Sequence, residues 1–63
     1  MSDTAMPKIG NPATRALALI GITRLDQLPG RSRKELLALH GVGPKAIRII
    51  DAALAERGKS LAP

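Results

Sequence analysis

The stretch Leu36-Leu37-Ala38-Leu39-His40-Gly41-Val42-Gly43-Pro44-Lys45-Ala46-Ile47 leaves this chain few ways to fold. Two glycines one residue apart, with proline after the second, interrupt what would otherwise be one long apolar helix. The segment therefore reads as the end of one helix, a short hairpin and the start of another. With the first helix closing at Leu39, Gly41 falls at C′, where a left-handed backbone costs glycine little, and Val42 at C″ packs back on Leu37. Gly43 is then the N-cap and Pro44 is N1, where the missing N–H loses nothing and the fixed φ suits a helix. The amides of the hairpin and the first helical turn point outward. With the helix macrodipole behind them and Lys45 in the same turn, they favour an anion, and phosphate is the obvious candidate. A helix-turn-helix corner with two purely structural glycines is the other reading of the same residues.

Weaker signals of the same kind divide the rest of the chain. Asn11-Pro12 is a second helix start, Asn as N-cap and Pro as N1, and Ala13, Ala16, Leu17 and Ile20 recur at helical spacing behind it. Gly21 closes that helix and sets Ile22 against Leu17. Thr23 caps a single helical turn that turns Leu25 and Leu28 inward and stops at Pro29-Gly30. Ser32 and Glu35 fit a capping box for the helix that runs into the hairpin. The last helix buries a broad face of Ala46, Ile47, Ile49, Ile50, Ala53 and Leu54 and ends at Gly58, with Leu61 folding back. Residues 1–8 are expected to form a flexible arm, 9–61 the domain and 62–63 a tail.

At 63 residues, the chain is one small domain that buries roughly 60% of its unfolded surface. It has no Phe, Trp or Tyr, so its core must come from Leu, Ile, Val, Ala and Met. Its stability is expected to be about 3–5 kcal/mol. There is no room for an enclosed substrate cavity and no cysteine for a disulfide or thiolate metal site. No apolar run approaches the roughly 20 residues of a membrane span, and Met1-Ser2-Asp3-Thr4 lacks the basic start of a signal peptide. A soluble protein of the cytoplasm or nucleoid is the expectation. Ten Lys and Arg against five Asp and Glu give a net charge of +5, which favours a polyanionic partner.

Leu39-His40-Gly41-Val42-Gly43-Pro44-Lys45-Ala46 resembles the helix-hairpin-helix motif: an aliphatic residue, Gly-aliphatic-Gly, then a lysine-bearing helix start. The resemblance implies an all-α, compact four- to five-helix domain of helix-hairpin-helix, SAM-domain-like type. It also implies non-sequence-specific binding of duplex DNA through the sugar-phosphate backbone. In helix order and spacing, residues 9–61 are similar to the C-terminal domain of the bacterial RNA polymerase α subunit. Aligning Ile22 and Gly43 with their counterparts puts Gly43, Lys45 and Ala46 at positions where that domain contacts DNA. Pro12 falls where the family has its principal groove-binding arginine, and Arg15 where it has an asparagine. The resemblance thus carries over the fold and an affinity for DNA, not a promoter preference.

The expected DNA-binding residues are Gly41, Val42 and Gly43, which shape the hairpin, Pro44, Lys45 and Ala46 at the helix start, and Arg48 and Arg15. Lys45 and Arg48 stand i, i+3 on one face. Val42 is expected to be buried between the helices. An internal echo pairs Ile9-Gly10 with Val42-Gly43, and with them Ala13 with Ala46, Arg15 with Arg48 and Leu17 with Ile50. As a true repeat, it would offer two hairpin-like elements to the two strands of a duplex; coincidence among common residues is the alternative. Arg31, Arg33 and Lys34 read as a solvated face, and Arg57 and Lys59 as partners of a helix C-terminus. His40 is an ordinary residue at a helix end, and Asp51 lies within reach of Arg48. No nucleophile–base pair, metal site, cofactor, small-molecule substrate or membrane contact is expected, and the chain is not read as an enzyme. A larger protein assembly is the expected setting, and a protein-interaction module using the same helical fold is the rival reading.

Overall fold

The computed structural model describes residues 5–63. In chain order these form α1 (Asn11–Leu19), a single 3-10 turn (Leu25–Gln27), α2 (Arg33–Ala38) and α3 (Pro44–Ala55). Three α-helices and one 3-10 turn thus stand where four to five helices are expected. The segments between them are too short to hold another. Extended pairing among the described residues is confined to two isolated bridges, Ala5 with Arg24 and Ser32 with Ala62.

The start of α1 departs from the expected cap. Gly10, with φ 94° and ψ 152°, is the N-cap, and Asn11 and Pro12 are the first two helical residues. A first-turn amide has no carbonyl to bond inside the helix, so proline is tolerated there as well as at N1. The other end closes as expected. The Gly21 amide donates to Ala18 O at 3.0 Å and the Ile22 amide to Leu17 O at 2.9 Å, with Leu17 and Ile22 both buried. The end of α3 repeats this pattern: Gly58 N–H donates to Ala55 O and Lys59 N–H to Leu54 O.

The turn after α1 is held from the other direction than expected. Thr23 does not cap it; Arg24 is the N-cap, and the Gln27 side chain reaches back. Gln27 Oε1 accepts the amides of Thr23 at 2.8 Å and Arg24 at 2.9 Å, while Nε2 donates to Gly21 O.

The expected C′ role of Gly41 also needs correction. α2 stops at Ala38, and Leu39 is already extended, with φ −72° and ψ 136°. The Val42 amide donates to Leu39 O at 3.1 Å, closing a β-turn over residues 39–42. Gly41 has the left-handed backbone, φ 98°, but as a turn residue. Val42 does not fold back on Leu37. One helical step puts the buried Leu36 on the inner face and leaves Leu37 exposed.

Leu17, Leu28, Leu36, Ile50 and Leu54 form the fully buried centre, with Leu61 against it at 4% exposure. Asp51 accepts a 2.8 Å hydrogen bond from Arg33 Nη2, tying α3 to α2, rather than pairing with Arg48 on its own helix. Its half-buried carboxylate faces α2, whereas Arg48 is exposed.

The C-terminal residues complete α2. Arg33 N–H donates to Ala62 O and Ala62 N–H to Arg31 O, each at 2.8 Å, and Gly30 N–H donates to Ser60 O at 3.1 Å. Ser32 Oγ accepts the Glu35 amide, the half of the expected capping box that Ser32 supplies. Of the arm expected over residues 1–8, residues 1–4 lie outside the described residues. Ala5 bridges to Arg24, and Met6 packs against the core. Among the described residues, no helix is long and apolar enough to cross a membrane.

Truncation after Ser60 removes a buried leucine and two backbone hydrogen bonds. It should cost about 2–4 kcal/mol, most of the stability expected of so small a domain. A urea melt checks this; an unchanged midpoint would mean that the C-terminal pairing contributes nothing.

Candidate functional site

The hairpin and the start of α1 meet backbone to backbone. A Cβ on Gly41 would lie 2.8 Å from Pro12 O and 3.1 Å from Pro12 C. Gly41 therefore meets two demands at once, a left-handed φ and space for a neighbouring peptide. Gly43 meets neither. Its φ is −120°, and a Cβ there would have nothing within 4 Å.

This contact places the starts of α1 and α3 on either side of one open hollow of about 320 Å³. Lys8, Ile9 and Gly10 line it from the α1 side, and Gly41, Gly43, Lys45, Ala46 and Ile49 from the α3 side. Neither N-cap is satisfied by a side chain, because each is glycine. The first bonds of the two helices are Thr14 N–H to Gly10 O at 3.0 Å and Ile47 N–H to Gly43 O at 3.1 Å. Ahead of them lie the amides of Asn11 and Ala13 in α1 and of Lys45 and Ala46 in α3, with no carbonyl to bond inside their helices. α2 differs: Ala62 O accepts its Arg33 amide and Ser32 Oγ its Glu35 amide. The start of α3 lines the hollow through Gly43, Lys45 and Ala46, and that of α1 through its N-cap Gly10, while Asn11 lines an adjoining hollow with Met6, Pro7 and Thr14.

Charge reinforces the arrangement. Lys45 is the second residue of α3 and Arg48 the fifth, at the end of the helix where the macrodipole disfavours cations by about 0.3–1 kcal/mol each. Both are exposed and, among the described residues, neither has an acidic partner. Lys8 adds a third cation at the rim. An anion in the hollow would meet the bare amides and positive dipole end of α3 and two lysines, so it would relieve the unfavourable field rather than merely tolerate it.

Of the residues expected at the site, Gly41, Gly43, Lys45 and Ala46 line the hollow. Val42 is buried beneath it, and Pro44 is exposed at N1. Arg48 and Arg15 are exposed but lie outside the lining, each five residues after its glycine N-cap. Lys8, Ile9 and Gly10 were not expected there. The signal for them was the echo, four of whose pairs match in burial: Ile9 and Val42, Ala13 and Ala46, and Leu17 and Ile50 are buried, and Arg15 and Arg48 exposed, whereas Gly10 is exposed and Gly43 half-buried. Among the described residues, no three His, Cys, Asp or Glu converge to hold a metal ion. His40 is exposed in the hairpin turn.

Compared with known proteins, the chain matches no family model, no curated protein and no solved structure.

The two hairpin glycines should respond differently to a methyl group. Gly41→Ala should lose at least about 2 kcal/mol through its backbone conformation and the Pro12 carbonyl. Gly43→Ala should lose about 1 kcal/mol or less, the difference between two N-cap residues. Thermal melts of the pair check this, and equal losses would contradict the assignment.

Proposed function

We propose that this domain binds duplex DNA without sequence preference, through the sugar-phosphate backbone, as a helix-hairpin-helix module. The observation that supports the reading is that the uncapped start of α3 and the N-cap Gly10 of α1 line the same hollow, with Lys8 and Lys45 at its edge. Phosphates accept from the free amides of Lys45 and Ala46, and Gly43 lets the strand approach because no side chain stands between it and the backbone. Pro44 presets the first turn, Gly41 and the buried Val42 hold the hairpin in shape, and Arg48 and Arg15 add charge from the flanks. If Lys8 and the start of α1 receive the second strand, the echo in the sequence has a use: two similar elements for two antiparallel backbones.

With no aromatic side chain to stack on bases, duplex is favoured over single strands. Roughly 3–5 neutralised phosphates give a slope of log K on log[salt] near −3 to −4.5, with dissociation constants around 10⁻⁴ to 10⁻⁶ M at physiological salt. So weak a module suits work within a larger nucleoid-associated assembly in the cytoplasm. A protein-interaction module on the same helical fold is the second reading. It is favoured by Leu19, 87% exposed at the end of α1, with the exposed Ile20 beside it.

Fluorescence anisotropy on a labelled duplex at several salt concentrations tests the proposal. Lys45→Glu should lower affinity about tenfold or more and make the salt slope shallower by about one to two, at unchanged melting temperature. Binding that is independent of both salt and Lys45 would overturn it in favour of the interaction module.

A further inference from the structure

The two cations that line the hollow are held there by different means. Lys45 stands on α3 and has the helix behind it. On the other side no charged residue stands in the first turn of α1, Asn11-Pro12-Ala13-Thr14, and the echo puts Pro12 where α3 has Lys45. Lys8 supplies the cation instead, from irregular chain just ahead of the N-cap Gly10. Among the described residues it is also the one cation that lines both hollows, the first together with Lys45 and the adjoining one together with Asn11 and Thr14.

A lysine on loose chain is a poor phosphate ligand, because its backbone as well as its long side chain must be ordered when the anion arrives. Lys8 is spared this by anchors on both sides. Ile9, 9% exposed, fixes it toward α1. On the other side Met6 is half-buried and packs against the core, and Ala5 pairs with Arg24. Pro7 joins Met6 to Lys8 stiffly, since its ring fixes its own φ and restricts Met6 to extended backbone. At the offset of the echo, Met6 corresponds to Leu39, and both are half-buried against the same core. Leu39 opens the hairpin turn that Val42 closes. Met6 holds the matching place before α1, where among the described residues no helix precedes it.

Taking the hollow as a backbone-phosphate site, as proposed above, we infer that Met6 is a positioning residue for it: its packing against the core holds Lys8 at the rim, so that residues 5–9 meet the strand as a pre-set strap. Met6 itself contacts no phosphate. Its effect on binding passes through the Lys8 charge, which separates it from a residue that only stabilises the fold.

Fluorescence anisotropy on a labelled duplex across salt concentrations tests this with Lys8→Gln, Met6→Ala and the double variant, each measured well below its melting temperature. Lys8→Gln should lower affinity about three- to tenfold and make the salt slope shallower by about one. Met6→Ala removes no charge, yet it should do nearly the same, whereas a loss of folded fraction alone would lower affinity and leave the slope. The double variant should bind no worse than Lys8→Gln. Met6→Leu, which keeps the apolar anchor, should bind like the unmodified chain. A full salt slope in Met6→Ala, or losses that multiply in the double variant, would overturn the positioning role. So would unchanged binding by Lys8→Gln while Lys45→Glu still weakens it, and the hollow would then stand without Lys8. If Lys45→Glu also binds as the unmodified chain does, the hollow falls as a phosphate site, and the role of Met6 with it.

Discussion

The arrangement depends on one close approach, that of Gly41 to the peptide of Pro12. Any side chain at residue 41 would meet the Pro12 carbonyl at 2.8 Å. Its absence lets a hairpin from the middle of the chain rest on a helix start from near its beginning. The two helix N-termini, 33 positions apart in the sequence, become neighbours across one hollow. A small aliphatic core without aromatic residues fixes the helices behind them, but it is this peptide-on-peptide contact that shapes the hollow.

The electrostatics follow from the same contact. Each helix start brings leading amides and a positive dipole end, and the chain adds lysines there instead of the acids that would stabilise an isolated helix. α2 shows that the alternative was open to this fold. Ser32 and the carbonyl of Ala62 each take one of its leading amides, and Arg33 is paired with Asp51. The start of α3, by contrast, stands uncapped at the hollow. The proposed anion site draws on that contrast, and Gly43, which the backbone does not require, is the more informative of the hairpin pair.

What was legible in the sequence was local. The closures at Gly21-Ile22 and Gly58 depend on residues within one turn, and both stand as expected. So does Pro44 at the head of α3, with Gly43 before it. The misplacements share a different cause. Asn11 is the better N-cap by preference, yet Gly10 takes that position, next to residues held under the hairpin. Asp51 bonds Arg33, 18 residues away, instead of the neighbour that helix spacing offered. Ala62 pairs with the backbone around Arg31 and Arg33, and Lys8 reaches the rim of the hollow; neither is visible in any window of neighbouring residues. The echo between Ile9-Gly10 and Val42-Gly43 was the one long-range signal in the sequence. Its matching burial gives it physical content.

The central proposal is that the starts of α1 and α3 receive one duplex together, each meeting a backbone. The most direct measurement is an amide-resolved NMR titration of the isotope-labelled chain with a short duplex at low ionic strength. Single-stranded DNA and duplex RNA serve as parallel arms. The account predicts that the amides of Lys45 and Ala46 and those of Asn11 and Ala13 shift along one binding curve, most strongly with duplex DNA. Shifts confined to Leu19, Ile20 and Leu37, or none at either helix start, would contradict it.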